Sequence, residues 1–424
     1  MIIASIDIQN GKAVQLKRGK ELVLERDNLA ELAQEFDKYG EVAVIDLDAA
    51  MGKSSNIEQI KPLLRIAECR VGGGIRTADD ARRLVSLGAK KVIIGSAAFR
   101  KDGEFAVNVP LLESISKAIG RERVIVAVDA NNSEIFVDGW KTPTGLDLIT
   151  AAKTIEPYVG ELLFTCIERE GMMQGIDLEP VKHLREAVSC LITAAGGVSS
   201  MEEIETLASL GCDVQLGMAL YTGKISLAQA FIRSLNWKKG ALGDSSMLPI
   251  IAQSSDGQVL MTGFTDETAL AQTFKSGNLC FFSRTRSKIW MKGETSGNIL
   301  KVLRLRADCD RDAILAIVSP HGPVCHTGAW SCFCTDRRYT LEYLHKVITE
   351  RFKNPVPGSY TATLDDKLVR EKIMEEADEL CTAMSHDEIV WEAADLFYFA
   401  TALIAKSNIN ISDVLDELDR RHKK

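Results

Sequence analysis

From Met1 to about Asn236, short aliphatic runs alternate with amphipathic stretches. "VAVIDLDAA", "KKVIIGSAAF" and "RVIVAVDAN" are apolar at successive positions, the pattern of parallel strands buried on both faces. "TADDARRLVSLGA" spaces its apolar residues at helical intervals. Strand and helix in turn predict a chain of βα units. The polar, glycine-containing "KKGALGDSS" then predicts a linker over 237–246. Over 247–335 the texture is strand-rich, with "GQVLMTGF", "NLCFFSRTR", "SKIWMKGE" and "ILKVLRLRADCD". Over 338–424 the period becomes helical, in "LDDKLVREKIMEEADELCTAM" and "DEIVWEAADLFYFATALIAK". The expected architecture is multidomain: an α/β TIM barrel, (β/α)8, over 1–236, a small strand-rich α+β domain, and an all-α domain.

An internal repeat supports the barrel. "GGIRTADDARRLVSLGAKKVIIGSAAF" starts at Gly73 and "GGVSSMEEIETLASLGCDVQLGMALY" at Gly196, 123 residues later. Asp7 and Asp129 are 122 apart, as are Gly95 and Gly217. Two such halves make one barrel of the usual size, about 250 residues. Each half has a strand ending in paired glycines (Gly73 and Gly74; Gly196 and Gly197) and another ending in Gly-x-Ala (Gly95; Gly217). Glycines let backbone N–H groups approach an anion, and a helix N-terminus adds a favourable dipole. A single such loop is equally a tight βα turn, but a repeated pair implies a ligand with a phosphate at each end. Asp7 and Asp129 end the first strand of each half, where barrel active sites are built. A lone aspartate there is usually a cap; a repeat-related pair favours general acid and base.

The 424 residues carry a formal net charge of -8, which argues against general nucleic-acid affinity. The opening "MIIASIDIQNGK" lacks a basic segment followed by a long apolar run, and no run is long enough to span a bilayer. A cytoplasmic location without membrane contact is expected. There the ten cysteines should stay reduced, and clustered thiols point to metal before disulfides.

"DCDRDAILAIVSPHGPVCHTGAWSCF" carries the densest chemistry. Read as a strand, it places Asp308, Asp310 and Asp312 on one face, about 7 Å apart, and Cys309 on the other. Adjacent acids would then repel by roughly 2 kcal/mol at an effective dielectric of ~20. A solvated edge tolerates this, but magnesium on oxygen ligands explains it better. Cys309, Cys325 and Cys332 offer three soft ligands suited to zinc, with a fourth position left for water; three incidental thiols is the plainer alternative. A dimer that pairs Cys309 with the partner's other two cysteines would reconcile the opposed faces. In the helical region, Glu375, Glu376 and Glu379 neighbour one another, and Glu392 and Asp395 lie one turn apart among apolar Trp391, Leu396, Phe397 and Phe399. A solvated acidic surface is the usual reading of such runs; a magnesium ion shared by two helices is the other.

Three resemblances sharpen these expectations. "SIDIQNGKAVQL", "VGGGIRTADD", "VIIGSAAF", "VAVDAN", "VDGWKTPTG" and "LGMALYTGK" resemble the isomerase barrel of histidine biosynthesis, the phosphoribosylformimino-aminoimidazole carboxamide ribotide isomerases. That family performs an aldose–ketose Amadori rearrangement, which implies Asp7 and Asp129 as catalytic acids, Thr165 beside them, and the six glycines as phosphate binders. The chain departs from the family at Glu170-Gly171-Met172, where Asp-Gly-Thr is usual, and at Gln15, where Arg is usual. Glu170 is expected to take the acid's place. "PTGLD" gives some likeness to the related cyclase barrel. "FFSRTRSKIWMKGETSGN", "DCDRDA" and "CHTGAWSCF" resemble phosphoribosyl-AMP cyclohydrolases. That resemblance implies zinc on the three cysteines shared across a homodimer, magnesium on the three aspartates, and hydrolytic opening of the adenine ring. His326 is a candidate proton carrier, equally a surface histidine, and Arg284, Arg286 and Lys292 are candidate phosphate contacts on basic strands. "SYTATL", "KIMEEADEL" and "WEAADLFYF" resemble phosphoribosyl-ATP pyrophosphohydrolases, with magnesium on Glu375, Glu376, Glu379, Glu392 and Asp395. The three families catalyse consecutive steps from phosphoribosyl-ATP. The alternatives are a bifunctional hydrolase with a catalytically silent barrel, and a non-catalytic nucleotide- or metal-binding regulator.

Overall fold

The structure, a computed structural model, describes residues 1–17, 19, 21–237, 247–333, 336 and 339–422. Beyond Trp237, the expected linker lies outside the described residues, as do Cys334, Thr335 and Arg338 at the expected domain bounds. The chain divides into two compact units, Met1–Gln253 with Met261–Pro323, and Ser254–Leu260 with Val324–Lys424.

In the first unit eight strands close into a barrel: β1 (Ile2–Gln9), β2 (Val42–Asp46), β3 (Cys69–Gly72), β4 (Lys91–Ile94), β5 (Val124–Asn131), β6 (Glu161–Cys166), β7 (Leu191–Ala195) and β8 (Asp213–Leu216). Each pairs in parallel with the next, and β8 returns to β1. Burial from both sides explains the continuous apolar runs: every residue of β6 is buried. The sequence repeat has a structural counterpart. Helices Ala78–Ser86 and Met201–Ser209 each follow a glycine pair and open with a full capping box, Thr77 with Asp80 and Ser200 with Glu203. Hairpins extend the mouth after β1 (Lys12–Lys17, Glu21–Arg26) and after β5 (Glu134–Val137, Thr142–Asp147).

The barrel interior holds an apolar layer of Ile93, Ile125, Leu163 and Ala195. Toward the strand N-termini it becomes ionic. Arg70 is fully buried and pairs with Glu41 and Glu161, while Lys91 lies 3.0 Å from Glu161 and 3.3 Å from Glu41. Burial would raise the Glu161 pKa, but Arg70 and Lys91 outweigh it and hold the group at about 2. Its contribution to stability is therefore complete above about pH 4.5 and is lost as pH falls toward 2. Arg70→Ala should cost roughly 3–5 kcal/mol, since it leaves Glu161 and Glu41 on the barrel floor with Lys91 as their one remaining cation among the described residues. Replacing Arg70 and Glu161 together by apolar residues should cost much less. Calorimetric unfolding of both variants checks this; equal losses would show that packing, not charge pairing, sets the cost.

The strand-rich segment forms a four-stranded sheet in the order Val259–Thr265, Leu248–Ser254, Ile314–Pro320, Leu300–Ala307, plus a hairpin of Cys280–Ser283 with Lys288–Met291. Helix Glu267–Ser276 ends at Gly277 in the left-handed conformation, a common helix stop. This segment packs against the barrel floor. Arg304 pairs with Asp37, Arg306 lies 2.7 Å from Glu68, and the Leu305 N–H donates to the Lys38 carbonyl. Phe274 packs between Tyr39, tilted against it at a centroid distance of 4.9 Å, and Phe231, edge-on at 5.7 Å.

In the second unit, helices Leu341–Lys353, Asp366–Thr382, His386–Lys406 and Ile411–His422 surround a core including Leu344, Ile348, Leu364, Val369, Phe399 and Ala402. No helix among the described residues is long and apolar enough to cross a membrane.

Candidate active sites

Asp7 lies near the C-terminal end of β1 and Asp129 near that of β5, half a turn apart around the barrel. The Ser5 hydroxyl donates to Asp7 at 2.7 Å. Asp129 accepts from Trp140 Nε1 at 3.0 Å and from the Thr165 hydroxyl, with Thr165 its register partner on β6. Burial pushes Asp7 up to about 6 and raises Asp129 too, although Thr165 and Trp140 oppose the second shift. Glu170, in the loop after β6, is pushed up to about 7 by burial and then by the charges of Asp7 and Asp129. The departure from the family motif thus joins the two aspartates in one electrostatic cluster. Raised carboxyls within reach of one another's charges are the kind of set that can hold one proton while another group accepts one. Trp140 was not singled out from the sequence. It sits at a left-handed φ of 67° in the hairpin after β5, and only folding of that hairpin brings its indole back to Asp129.

The glycine loops lie after β3 and β4 and after β7 and β8, again on opposite sides of the mouth. Gly73 and Gly196 have φ of 103° and 95°, and a Cβ there would lie 2.1 Å from the Asp46 carbonyl oxygen and 2.6 Å from that of Cys166. Gly74 and Gly197 are equally constrained by Ala49 and Arg169. A Cβ at Gly95 would meet open space, whereas at Gly217 it would lie 3.0 Å from Gln15 Oε1. Gln15 is buried, and its Nε2 donor has no hydrogen-bond partner. The residue standing for the family's arginine therefore keeps an unused donor beside the second glycine loop.

Asp308, Asp310 and Asp312 do not share a strand face. They occupy the turn between Leu300–Ala307 and Ile314–Pro320, with Arg311 left-handed at φ 64°. The alternation of acids suggested extended backbone, but Asp308 closes a turn by accepting from the N–H groups of Asp312 (3.0 Å) and Ala313 (3.1 Å). One carboxylate oxygen from each aspartate falls within 4.8 Å of the others. At 4.8 Å a pair of unit charges repels by roughly 3.5 kcal/mol at a dielectric of ~20, more where the oxygens are closer and less where water screens them. Three converging hard oxygens suit a magnesium-type cation. Cys309 in the same turn is exposed.

In the second unit, the Thr327 hydroxyl donates to Cys325 Sγ at 3.2 Å, and His326 Nδ1 lies 3.8 Å from the same sulfur. Thr327, and to a lesser degree the Cys332 thiol, lower the Cys325 pKa. Two neighbouring thiols, one predisposed to ionise, are a donor pair that suits zinc. In the first unit, Arg284 and Arg286 lie in a hairpin turn and Lys292 just past its second strand, not on strands as expected, because the chain reverses between Ser283 and Lys288. The Arg284 guanidinium lies 4.0 Å over the Phe264 ring and that of Arg286 5.8 Å over Trp290, which leaves their edges for anions.

Of the helical acids, Glu376, Glu379 and Glu392 bring one oxygen each within 4.8 Å, across helices Asp366–Thr382 and His386–Lys406. Glu376 is buried. Burial, then the charges of Glu379, Glu376 and Asp395, raise the Glu392 pKa, so Asp395 adds to the field without joining the close trio. Glu375 instead pairs with Lys372 at 2.8 Å. The apolar surroundings expected around Glu392 and Asp395 are only partly present. Phe399 is buried, but Trp391 and Phe397 are exposed, since they lie on the helix face away from this core.

A family model described as histidine biosynthesis protein matches residues 1–226. This chain belongs to the histidine biosynthesis family. Models for phosphoribosyl-AMP cyclohydrolase and phosphoribosyl-ATP pyrophosphohydrolase follow, at residues 261–334 and 341–422. It is an enzyme chain with isomerase, cyclohydrolase and pyrophosphohydrolase segments in that order. Among similar proteins is the 1-(5-phosphoribosyl)-5-((5-phosphoribosylamino)methylideneamino) imidazole-4-carboxamide isomerase of Methanosphaera stadtmanae, 36% identical over 240 residues, 54% of this chain and 98% of that one. The histidine biosynthesis bifunctional protein HisIE of Pyrococcus furiosus is 38% identical over 211 residues, 46% of this chain and 99% of that one. Its counterpart from Caldanaerobacter subterraneus is 43% identical over 195 residues, 43% of this chain and 95% of that one.

Proposed function

We propose that this chain performs three consecutive steps in the cytoplasm, with catalytic segments at 338–424, 247–335 and 1–236 acting in that order. The helical segment hydrolyses phosphoribosyl-ATP to phosphoribosyl-AMP and pyrophosphate. The middle segment opens the adenine ring, and the barrel isomerises the resulting aminoaldose to an aminoketose. The observation that carries the barrel's part is the placement of Asp7 and Asp129 at opposite strand ends of the mouth, with Glu170 within reach of their charges and a glycine loop on either side. In such a site a protonated carboxyl gives its proton to the ribose ring oxygen as the ring opens. A carboxylate then takes the proton from the neighbouring carbon, and the enol so formed becomes the ketone. The two loops fit a substrate with a phosphate at each end.

The acidic turn suits magnesium and the thiols suit zinc, which would activate water near neutral pH. Cys309, Cys325 and Cys332 are the proposed zinc set, shared across a homodimer. His326 would carry a proton beside it, and Arg284, Arg286 and Lys292 would meet phosphate. Magnesium on Glu376, Glu379 and Glu392, with Glu375 and Asp395 nearby, would offset triphosphate charge. The departures at Glu170 and Met172 favour a second reading, in which the barrel is silent.

The whole protein supplied with phosphoribosyl-ATP, zinc and magnesium should release pyrophosphate and accumulate the aminoketose. Mass-identical aldose and ketose are separated chromatographically. Accumulation of the aldose would sink the trifunctional reading and leave a bifunctional hydrolase.

A further inference from the structure

We propose that the floor of the barrel is a positioning element of the ring-opening site, acting through Arg311; this rests on reading Asp308, Asp310 and Asp312 as a cation-holding turn. Arg311 stands between two of those aspartates, yet its guanidinium leaves the turn. Nη1 donates to the Ala208 carbonyl at 2.8 Å, and Nη2 donates to the Cys212 carbonyl at 2.7 Å and lies 3.1 Å from Asp213 Oδ1. Only 11% of the Arg311 side chain is exposed. Its backbone carbonyl accepts from the Asn236 N–H at 2.8 Å.

All four partners belong to the barrel segment. Ala208 lies in the last turn of helix Met201–Ser209, and its carbonyl accepts from the Gly211 N–H at 3.0 Å as well as from Arg311. Asp213 opens β8 and also pairs with the amino group of Met1. Asn236 follows the last barrel helix, Leu227–Ser234. The turn is thus held by both its backbone and its side chain to the end of the barrel opposite Asp7 and Asp129. Three carboxylates gathered within 4.8 Å repel one another, and a turn free to spread would relieve that repulsion. The clamp keeps them converged before a cation arrives. Two carbonyls and a carboxylate around one planar fork suit arginine and not lysine, whose single ammonium cannot span them with the same geometry.

The test uses the full chain carrying Glu376→Gln and Glu379→Gln, which silences the helical acids, with zinc present. Free Mn2+ is followed by electron paramagnetic resonance during titration. Arg311→Ala should weaken Mn2+ binding about 10-fold or more, the range seen when a group that orients metal ligands is lost. Arg311→Lys should restore little, and Asp213→Asn should weaken binding in the same direction. Arg304→Ala loosens the same packing surface through Asp37 and Glu68 without touching the turn, and should leave Mn2+ affinity unchanged. In the chain with its helical acids intact, Arg311→Ala should raise the Mg2+ concentration for half-maximal ring opening. Its maximal rate at saturating Mg2+ should persist, as should isomerisation. Unchanged Mn2+ affinity in Arg311→Ala overturns the clamp. Equal weakening by Arg304→Ala also overturns it, in favour of general loosening. Asp310→Asn separates the underlying reading: if it leaves Mn2+ binding intact, the turn is no cation site, and the clamp falls with it.

Discussion

Asp129→Asn and Asp7→Asn should each lower kcat/KM for isomerisation by about 10²–10⁴-fold while making the barrel harder to unfold. The activity loss follows from removing a group that donates or accepts the transferred proton. The gain in stability follows from linkage. Burial raises Asp7 from 3.8 to about 6, so between those values the unfolded chain ionises while the native chain resists. Stability is therefore lost as pH rises from about 4 to 6, and the deficit persists at pH 7. Two pK units set its scale at roughly 3 kcal/mol, which partial solvent access reduces. Asparagine has no such deficit. A rise in Tm together with loss of isomerase activity, with pyrophosphate release and ring opening intact, is the expected result. Normal isomerase turnover in both variants would remove the acid–base assignment. Glu170 gives the pH signature. The cluster should produce a bell-shaped kcat/KM profile with limbs near 6 and 7, properties of the three coupled carboxyls. Glu170→Gln removes the group that titrates near 7, so the upper limb should be lost while the limb near 6 stays in place.

The barrel was legible in the sequence because its information is local and repeated. Continuous apolar strands, paired glycines and capping residues each report a nearby backbone requirement, and the 123-residue offset ties Gly73 to Gly196. What could not be read depends on residues far apart in the chain. Arg70 looks like an interruption of a strand until Glu41 and Glu161 arrive from two other strands' beginnings. Trp140 needs its hairpin to return to Asp129. The acidic run misled because alternating aspartates also fit a strand; the backbone bonds to Asp308 that make it a turn have no compositional mark. Along helix His386–Lys406, the apolar residues near Glu392 could be recognised as a group, but Trp391 and Phe397 point away from the core that holds Phe399. In the acid clusters, helical spacing correctly grouped Glu376 with Glu379, whereas the choice of Glu392 over Asp395 as the third close oxygen depends on how two helices pack.

Cys332→Ser should abolish zinc binding and ring opening together, because a serine hydroxyl stays protonated at neutral pH and is a poor substitute for a thiolate. Cys309→Ser should have the same effect, although Cys309 sits among carboxylates in the acidic turn and its thiol is exposed. An exposed soft thiol among hard carboxylate oxygens has little local use, but it is available to a partner subunit. Mixing the two inactive variants tests that arrangement. If each zinc site takes Cys309 from one subunit and Cys325 with Cys332 from the other, a heterodimer holds one site with every ligand intact and one with both lesions. Ring opening should then recover to roughly half the unaltered activity per dimer, and zinc to about one ion per dimer, as two-fold symmetry requires. Isomerisation and pyrophosphate release should be unaffected in both single variants if the thiols serve ring opening alone, as proposed. Verified heterodimers that recover neither zinc nor activity would place all three ligands within one chain. Full loss of zinc in Cys332→Ser alone, with Cys309→Ser retaining it, would remove Cys309 from the set.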